Sequence, residues 1–290
     1  MDNMRQLPKI SFHDISPFEY KEIMSFLMQH YYPEEILTVS IQPKEPTTPD
    51  IEFTMEAIQE GYSVKAIITC EDEDCDGGEE IINDKVENLT IQVDTCTIVD
   101  ETKKVIQYKN GILSADPSTN INLVNESNSR SKKEIIVGVA INGSIEPDDA
   151  KIMLEEADKC EDGKWSTILR FLAELERDAD VCKRFRAERG LHTHVMAVHP
   201  DYRGLGIGTL LLEASALRAK NSRFGVYSVD CTSAYSTRAA QRCSGLTALR
   251  SVRYEDYKNS KGEQVFKPQD PVLHHSVTTF VQNFGIPEIA

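Results

Sequence analysis

Residues 196–208 read Met-Ala-Val-His-Pro-Asp-Tyr-Arg-Gly-Leu-Gly-Ile-Gly: an apolar strand end, a turn, then glycine at alternate positions. The next stretch, Thr209 to Lys220, is apolar at helical spacing. A strand that runs through a glycine loop into a helix suits phosphate. The glycines let the backbone come close to the anion, and the free N–H groups of the first helical turn point at it with the helix dipole behind them. The dinucleotide fingerprint G-x-G-x-x-G would need a glycine at position 209 after Gly204 and Gly206, and Thr209 stands there. A P-loop is excluded because no Gly-Lys-Ser/Thr occurs. The plain alternative is a glycine-rich turn that only joins strand to helix.

The elements that must position this loop alternate along the chain. Ile10–Phe12 reads as a short strand, and Ser16-Pro17 opens a helix over Glu19–His30, with Ser16 and Glu19 at capping-box spacing. A second helix is expected over Ile51–Glu60, ended by Gly61. Ser63–Thr69 and Glu134–Ile141 read as strands, and Ser166–Cys182 as a long amphipathic helix. Then come the strand Leu191–Val198, the glycine loop and its helix, the strand Phe224–Cys231 and a helix over Ser236–Cys243. Strands near Ala248–Tyr254 and Gln264–Lys267 and an apolar segment, Ser276–Phe284, complete a mixed α/β sheet.

The chain has 290 residues, 40% hydrophobic and 27% charged, with a formal net charge of −15. That length holds one large domain or two small ones. An acidic chain repels nucleic acid and suits a cationic substrate. No apolar run reaches the ~18 residues a membrane span needs, and the start Met1-Asp2-Asn3-Met4-Arg5 lacks the apolar core of a secretory signal. Seven cysteines without a repeating spacing point to reduced thiols and a cytosolic protein, in which the sequons at Asn88, Asn125 and Asn142 are chance matches. Residues 71–133 do not fit a compact plan: they begin with an acidic run, Glu71 to Glu80, and finish in the polar run Ser114–Lys133. Between them, Leu89–Tyr108 alternates as a β-hairpin would. Asp72, Asp74 and Asp76 imitate the start of an EF-hand loop, but the twelfth position is Asn83 rather than glutamate. The expectation is a solvated acidic loop and no metal.

Arg203-Gly204-Leu205-Gly206-Ile207-Gly208 resembles the R/Q-x-x-G-x-G/A pyrophosphate loop of the GNAT superfamily, the acetyl-CoA-dependent N-acetyltransferases. Tyr31-Tyr32-Pro33-Glu34-Glu35-Ile36-Leu37 resembles the aromatic-aromatic-x-x-Glu-Pro-Leu segment of the arthropod-type arylalkylamine N-acetyltransferases. Ile135–Gly143 is similar to their third strand, and Cys231–Ser236 to their Ser/Thr-rich turn. Tyr254–Tyr257 with Val265–Pro268 is similar to their C-terminal hairpin. The matches keep their order over most of residues 9–285, with 71–133 outside the pattern. Ile36 replaces the usual proline, and Gly245-Leu246 the usual Gly-Phe. The resemblance implies an α/β (α+β) GNAT fold, a central mixed, mostly antiparallel sheet flanked by helices. It makes 1–290 a single acetyltransferase domain with 71–133 as a long acidic and polar insertion.

What the resemblance implies for chemistry is transfer of acetyl from acetyl-CoA to the primary amine of an arylalkylamine such as dopamine, tyramine, octopamine or serotonin. Attack would be direct, in a ternary complex. An alkylammonium near pKa ~10 must first lose a proton. Glu35 matches the family's base, with Glu34 beside it as the fallback, and burial would raise such a carboxylate toward the working pH. A backbone N–H near the end of Val195–Val198 would hold the oxyanion. Ser236 and Thr232 match the hydroxyls that return a proton to the CoA thiolate, although a serine or threonine after a strand is more often an N-cap than a catalyst. His192 and His194 share one strand face and would relay the proton or simply pack; His275 is a weaker candidate for the same relay. The CoA contacts would be Ala197, Val198, Arg203, Gly204, Leu205, Gly206, Ile207, Gly208, Thr209 and Tyr235. The other readings are a polyamine or other small-amine acetyltransferase, and an inactive acyl-CoA-binding or partner-binding protein. A cytoplasmic monomer whose partners are acetyl-CoA and a small amine, with no nucleic acid or membrane partner, is expected.

Overall fold

The computed structural model describes residues 10–70, 95–99, 105–109, 112–115 and 133–285. Its strands are β1 (Ile10–Asp14), β2 (Val64–Cys70), β3 (Thr95–Val99), β4 (Val105–Lys109), β5 (Ile112–Ala115), β6 (Lys133–Ile145), β7 (Gly190–Val198), β8 (Val226–Cys231), β9 (Thr247–Arg253) and β10 (Ser276–Asn283). The helices are α1 (Tyr20–His30), α2 (Ile36–Ser40), α3 (Thr48–Gln59), α4 (Asp149–Lys159), α5 (Gly163–Ala179), α6 (Val181–Arg184), α7 (Ile207–Asn221) and α8 (Ala234–Arg242). The strands form one sheet in the order β5-β4-β3-β1-β2-β6-β7-β8-β10-β9. Neighbours pair antiparallel except β1 with β3 and β7 with β8.

Helices cover both faces of this sheet because its central strands are apolar on both sides. On one face α7 lays Ile207, Leu210, Leu211 and Ala214 against Phe12, Ala66, Val137 and Ala140. Gly138 makes that crossing close: a Cβ there would stand 3.0 Å from Leu211 Cδ1 and 3.2 Å from Ile207 Cγ2. On the other face Ile23 and Leu27 of α1 and Ile58 of α3 meet Val139, Ile141 and Val195. The entry to α1 is set by a capping box, in which Ser16 N–H donates to Glu19 at 2.8 Å and the Ser16 hydroxyl accepts from Phe18 N–H.

Several expected elements differ. The helix expected over Ser166–Cys182 starts earlier, at Gly163, where Asp162 caps it by accepting from Trp165 N–H at 2.8 Å. It stops where Asp180 turns left-handed with φ 44°. Helix α4 is absent from the expected elements; only Ala157 in it is buried. Gln264–Lys267 is not a strand. Gln264 forms one isolated bridge with Lys258, and Phe266 turns inward against Phe171, Tyr254 and Tyr257.

Asn142 is fully buried, its amide donating to Tyr62 O and Ser215 Oγ and its oxygen accepting from Thr193, so this sequon is core. Asn88, Asn125, the acidic run Glu71–Glu80 with Asp72, Asp74 and Asp76, Asn83 and residues 116–132 lie outside the described residues. No helix among the described residues is long and apolar enough to cross a membrane.

Candidate active site

Two defects in the sheet open a cleft. The parallel pairing of β7 with β8 runs only from Gly190–Val226 to Thr193–Val229, so the two strands part beyond it. At the same point β7 bulges: Asn142 pairs Thr193 and Ile141 pairs Val195, leaving His194 as the extra residue. Past the bulge, His199 N–H bonds to Val137 O on β6 at 2.9 Å. Counting back by twos, Ala197 also turns its backbone toward β6, while Met196 and Val198 turn theirs into the gap. Val198 O already accepts from Arg203 Nε at 3.1 Å. The expected Ala197 backbone contact is thus spent within the sheet, and Met196 joins Val198 as the open edge. The cleft so formed has a volume of about 820 Å³.

The glycine loop forms one wall. Gly204 and Gly206 have φ of 81° and 82°, a conformation only glycine takes without strain, and a Cβ at either would meet nothing within 4 Å. Gly206 is also the N-cap of α7 and offers no side chain to its free N–H groups. Open space, a close backbone and an uncapped helix of fifteen residues suit a pyrophosphate. Gly208 is different: its φ is ordinary, and a Cβ there would make van der Waals contact with Ala239 at 3.6 Å and Met196 at 3.7 Å. Arg203, Ile207 and Thr209 also line the cleft, whereas Leu205 packs against the core beside α7.

The adjacent glutamates part company. Glu34 is exposed and pairs with Arg203 Nη1 at 2.9 Å, which ties the α1–α2 turn to the glycine loop. Glu35 is 8% exposed and caps α2, its Oε2 accepting from Thr38 N–H at 2.6 Å. Its other oxygen, Oε1, is buried with no hydrogen-bond partner among the described residues. Burial raises the Glu35 pKa above the usual carboxylate value. The N–H groups of Thr38 and Leu37 and the hydroxyls of Thr38 and Thr232 work against that rise. Behind it Asp50 is pushed up to about 7 by burial and then by the Glu35 charge, against the pull of Lys164.

On the far wall, Thr232 is fixed by Tyr254, whose hydroxyl donates to Thr232 O at 2.7 Å. Ser236 is not the N-cap of α8. That position belongs to Ser233, whose hydroxyl accepts from Ser236 N–H at 3.1 Å while Ser233 N–H donates to Ser236 Oγ at 3.2 Å. Ser236 still lines the cleft, its hydroxyl donating to Ser233 O at 3.0 Å. Tyr235 is 63% exposed at the rim and stacks edge-on against His274, ring centroids 5.3 Å apart. His275 is exposed and does not line the cleft, whereas its neighbour His274 does.

His192 and His194 do lie together on one side of β7, rings 4.9 Å apart. His192 is buried and is not among the residues that line the cleft, its Nδ1 2.8 Å from Ser228 Oγ. Burial lowers its pKa to about 4, and burial together with the His192 ring holds that of His194 well below the usual histidine value, so both rings are neutral at physiological pH. His194 faces the cleft, in edge contact with Phe53. Its ring fits because Gly143 lacks a side chain, where a Cβ would stand 2.7 Å from Nε2.

Sequence reasoning missed Asp230. It lies on β8 two residues before Thr232, and both line the cleft. Thr279 Oγ1 donates to its Oδ1 at 2.5 Å, and burial pushes it to about 6. An inward acid among apolar neighbours on a strand, Val-Tyr-Ser-Val-Asp-Cys, was its only signal. Among the described residues no cluster of His, Cys, Asp and Glu could hold a metal ion.

Residues 169–243 match the family model of the acetyltransferase (GNAT) domain. A solved structure of mosquito arylalkylamine N-acetyltransferase-like 5b is 28% identical to this chain, covering 95% of it and 100% of that chain, with a TM-score of 0.67. A Drosophila melanogaster polyamine N-acetyltransferase that forms N-acetylagmatine is 29% identical over the same shares, also at 0.67. Arylalkylamine N-acetyltransferase 2 from Aedes aegypti, at 19% identity over 95% of this chain and 99% of that one, has the same fold with a TM-score of 0.66. The sheet parted at β7 and β8 and flanked by helices is the GNAT fold.

Proposed function

We propose that this chain, which carries a GNAT acetyltransferase domain and so takes acetyl-CoA as co-substrate, acetylates the primary amine of an arylalkylamine of the dopamine, tyramine, octopamine or serotonin class. One observation carries the catalytic part of this reading: a buried carboxylate oxygen, Glu35 Oε1, without a partner among the described residues, in a residue that lines the cleft. An unpaired buried acceptor costs free energy unless something uses it. An incoming ammonium would, first by hydrogen bond and then by giving up its proton.

Glu35 takes that proton, and the freed nitrogen forms its bond to the thioester carbonyl carbon. The N–H groups of β7 that face the gap, Met196 or Val198, accept the charge that gathers on the carbonyl oxygen. As the carbon–sulfur bond breaks, Ser236 or Thr232 passes a proton to the departing thiolate and takes one back from the ammonium-like nitrogen of the adduct, which leaves a neutral amide and free CoA thiol. Neutral His192 cannot start as the acid in this scheme, because its pKa lies near 4.

A second reading, acetylation of a dicationic amine such as agmatine or a polyamine, has Asp230 in its favour. Glu35 and Asp230 both act on Tyr254 and both line the cleft, so a second positive charge on the acceptor would find a carboxylate. Release of free CoA thiol, followed over tyramine, dopamine and serotonin against agmatine, putrescine and spermidine, separates the two. Preference for the aromatic amines supports the first reading. Preference for the dications overturns it in favour of the second, and no turnover with any amine would point to an inactive binding protein.

A further inference from the structure

We infer that Arg238 and Arg242 form a site for the 3′-phosphate of CoA, so that this protein selects CoA over its dephospho form. This rests on the acetyl-CoA reading above. The two arginines lie one helical turn apart on α8, and both are exposed along the cleft. Neither has a carboxylate within ion-pair distance among the described residues, in a chain with a net charge of −15. By contrast Arg203, the basic residue of the glycine loop, is held by Glu34 and by Val198 O.

Their place in the fold links them to the loop. Ala239, next to Arg238, accepts from Thr209 Oγ1 at 3.2 Å and is the residue a Cβ on Gly208 would touch. Cys243, next to Arg242, donates its thiol to Thr209 O at 3.4 Å. Residues 239 and 243 thus dock α8 on the first turn of α7, and the arginines beside them flank the place where a pyrophosphate would sit. CoA carries a phosphomonoester on the ribose just beyond its pyrophosphate, with close to two negative charges at neutral pH. Guanidinium groups with no carboxylate partner among the described residues suit such a group, since each can make two parallel charge-assisted hydrogen bonds.

Calorimetry with CoA and with dephospho-CoA tests this on the full chain, in wild type, Arg238→Ala, Arg242→Ala, the double variant and Gln241→Ala. Gln241 is an exposed neighbour on the same helix that does not line the cleft. Wild type and Gln241→Ala should bind CoA about 10-fold or more tighter than dephospho-CoA, from charge-assisted contacts. The double variant should bind both alike, with the wild-type affinity for dephospho-CoA. In turnover the KM for acetyl-CoA should rise while kcat holds. Equal wild-type affinity for the two ligands, or variants that weaken both equally, would overturn the site while leaving acetyl-CoA as co-substrate. A wild-type protein that bound neither would overturn the acetyl-CoA reading and this site with it.

Discussion

Glu34 and Glu35 are chemically identical and adjacent, and only their surroundings separate them. One is exposed and paired with Arg203; the other is buried, half-satisfied by a helix N-terminus and half-unpaired. The resemblance across Tyr31–Leu37 could single out Glu35, but the residues alone could not, because burial of one neighbour depends on where α2 begins. Glu34→Gln should therefore lower kcat by less than about 3-fold in steady-state assays, since an exposed ion pair contributes ~0–1 kcal/mol. Asp50 gives a stability prediction. Its folded pKa of about 7 lies above the ordinary 3.8, so folding is favoured below pH 3.8 relative to higher pH, and that advantage is lost as pH rises through 7. Asp50→Asn should match wild type in thermal melts near pH 4 and exceed it by a few degrees at pH 8. A constant difference across that range would show that Asp50 does not titrate in this window.

At the scale of elements, the loop and its helix were legible because glycine spacing and helical periodicity both lie in the local sequence. The parting of β7 from β8 was not. It arises from a bulge at His194 and from pairing that ends at Thr193, and both depend on β6 and β8 arriving from distant parts of the chain. The helix α4 escaped because it buries almost nothing, and Gln264–Lys267 misled because Phe266 is a core residue on an irregular segment. The two kinds of glycine in the loop now predict opposite behaviour. Gly206→Glu should abolish acetyl-CoA binding while the fold persists, because it fills the open space at a left-handed backbone position, where an L-residue costs ~1–2 kcal/mol. Gly208→Ala should bind within a few fold of wild type, since its new methyl meets neighbours at ordinary distance. Calorimetry showing both variants equally impaired would mean that the loop fails through folding rather than through the ligand.

At the scale of the whole molecule, the strands β3, β4 and β5 extend the sheet from β1, whereas the cleft lies between β7 and β8, beyond β2 and β6. We propose that the segment 71–133 is an insertion into one catalytic domain. Cys70 and Lys133 are paired neighbours on β2 and β6, so a short turn can close that gap. Replacing residues 71–132 with a Gly/Ser turn should leave turnover within a few fold; a folded variant without activity would make the segment part of the substrate site. The account as a whole depends on one proton transfer, and the pH–rate profile of Glu35→Gln measures it. Glu35 must be ionised to accept a proton, and burial raises its pKa, so wild type should lose kcat/KM on the acidic side of an elevated limb. Asp230, at about 6, and Asp50, at about 7, are raised carboxylates too, and only the substitution assigns the limb. Glu35→Gln should lower kcat/KM by about 10²–10⁴-fold, leave acetyl-CoA affinity unchanged, lose the acidic limb and recover in part as rising pH supplies free amine. A variant with wild-type kcat/KM and the same limb would contradict Glu35 as the base and move the role to another group in the cleft.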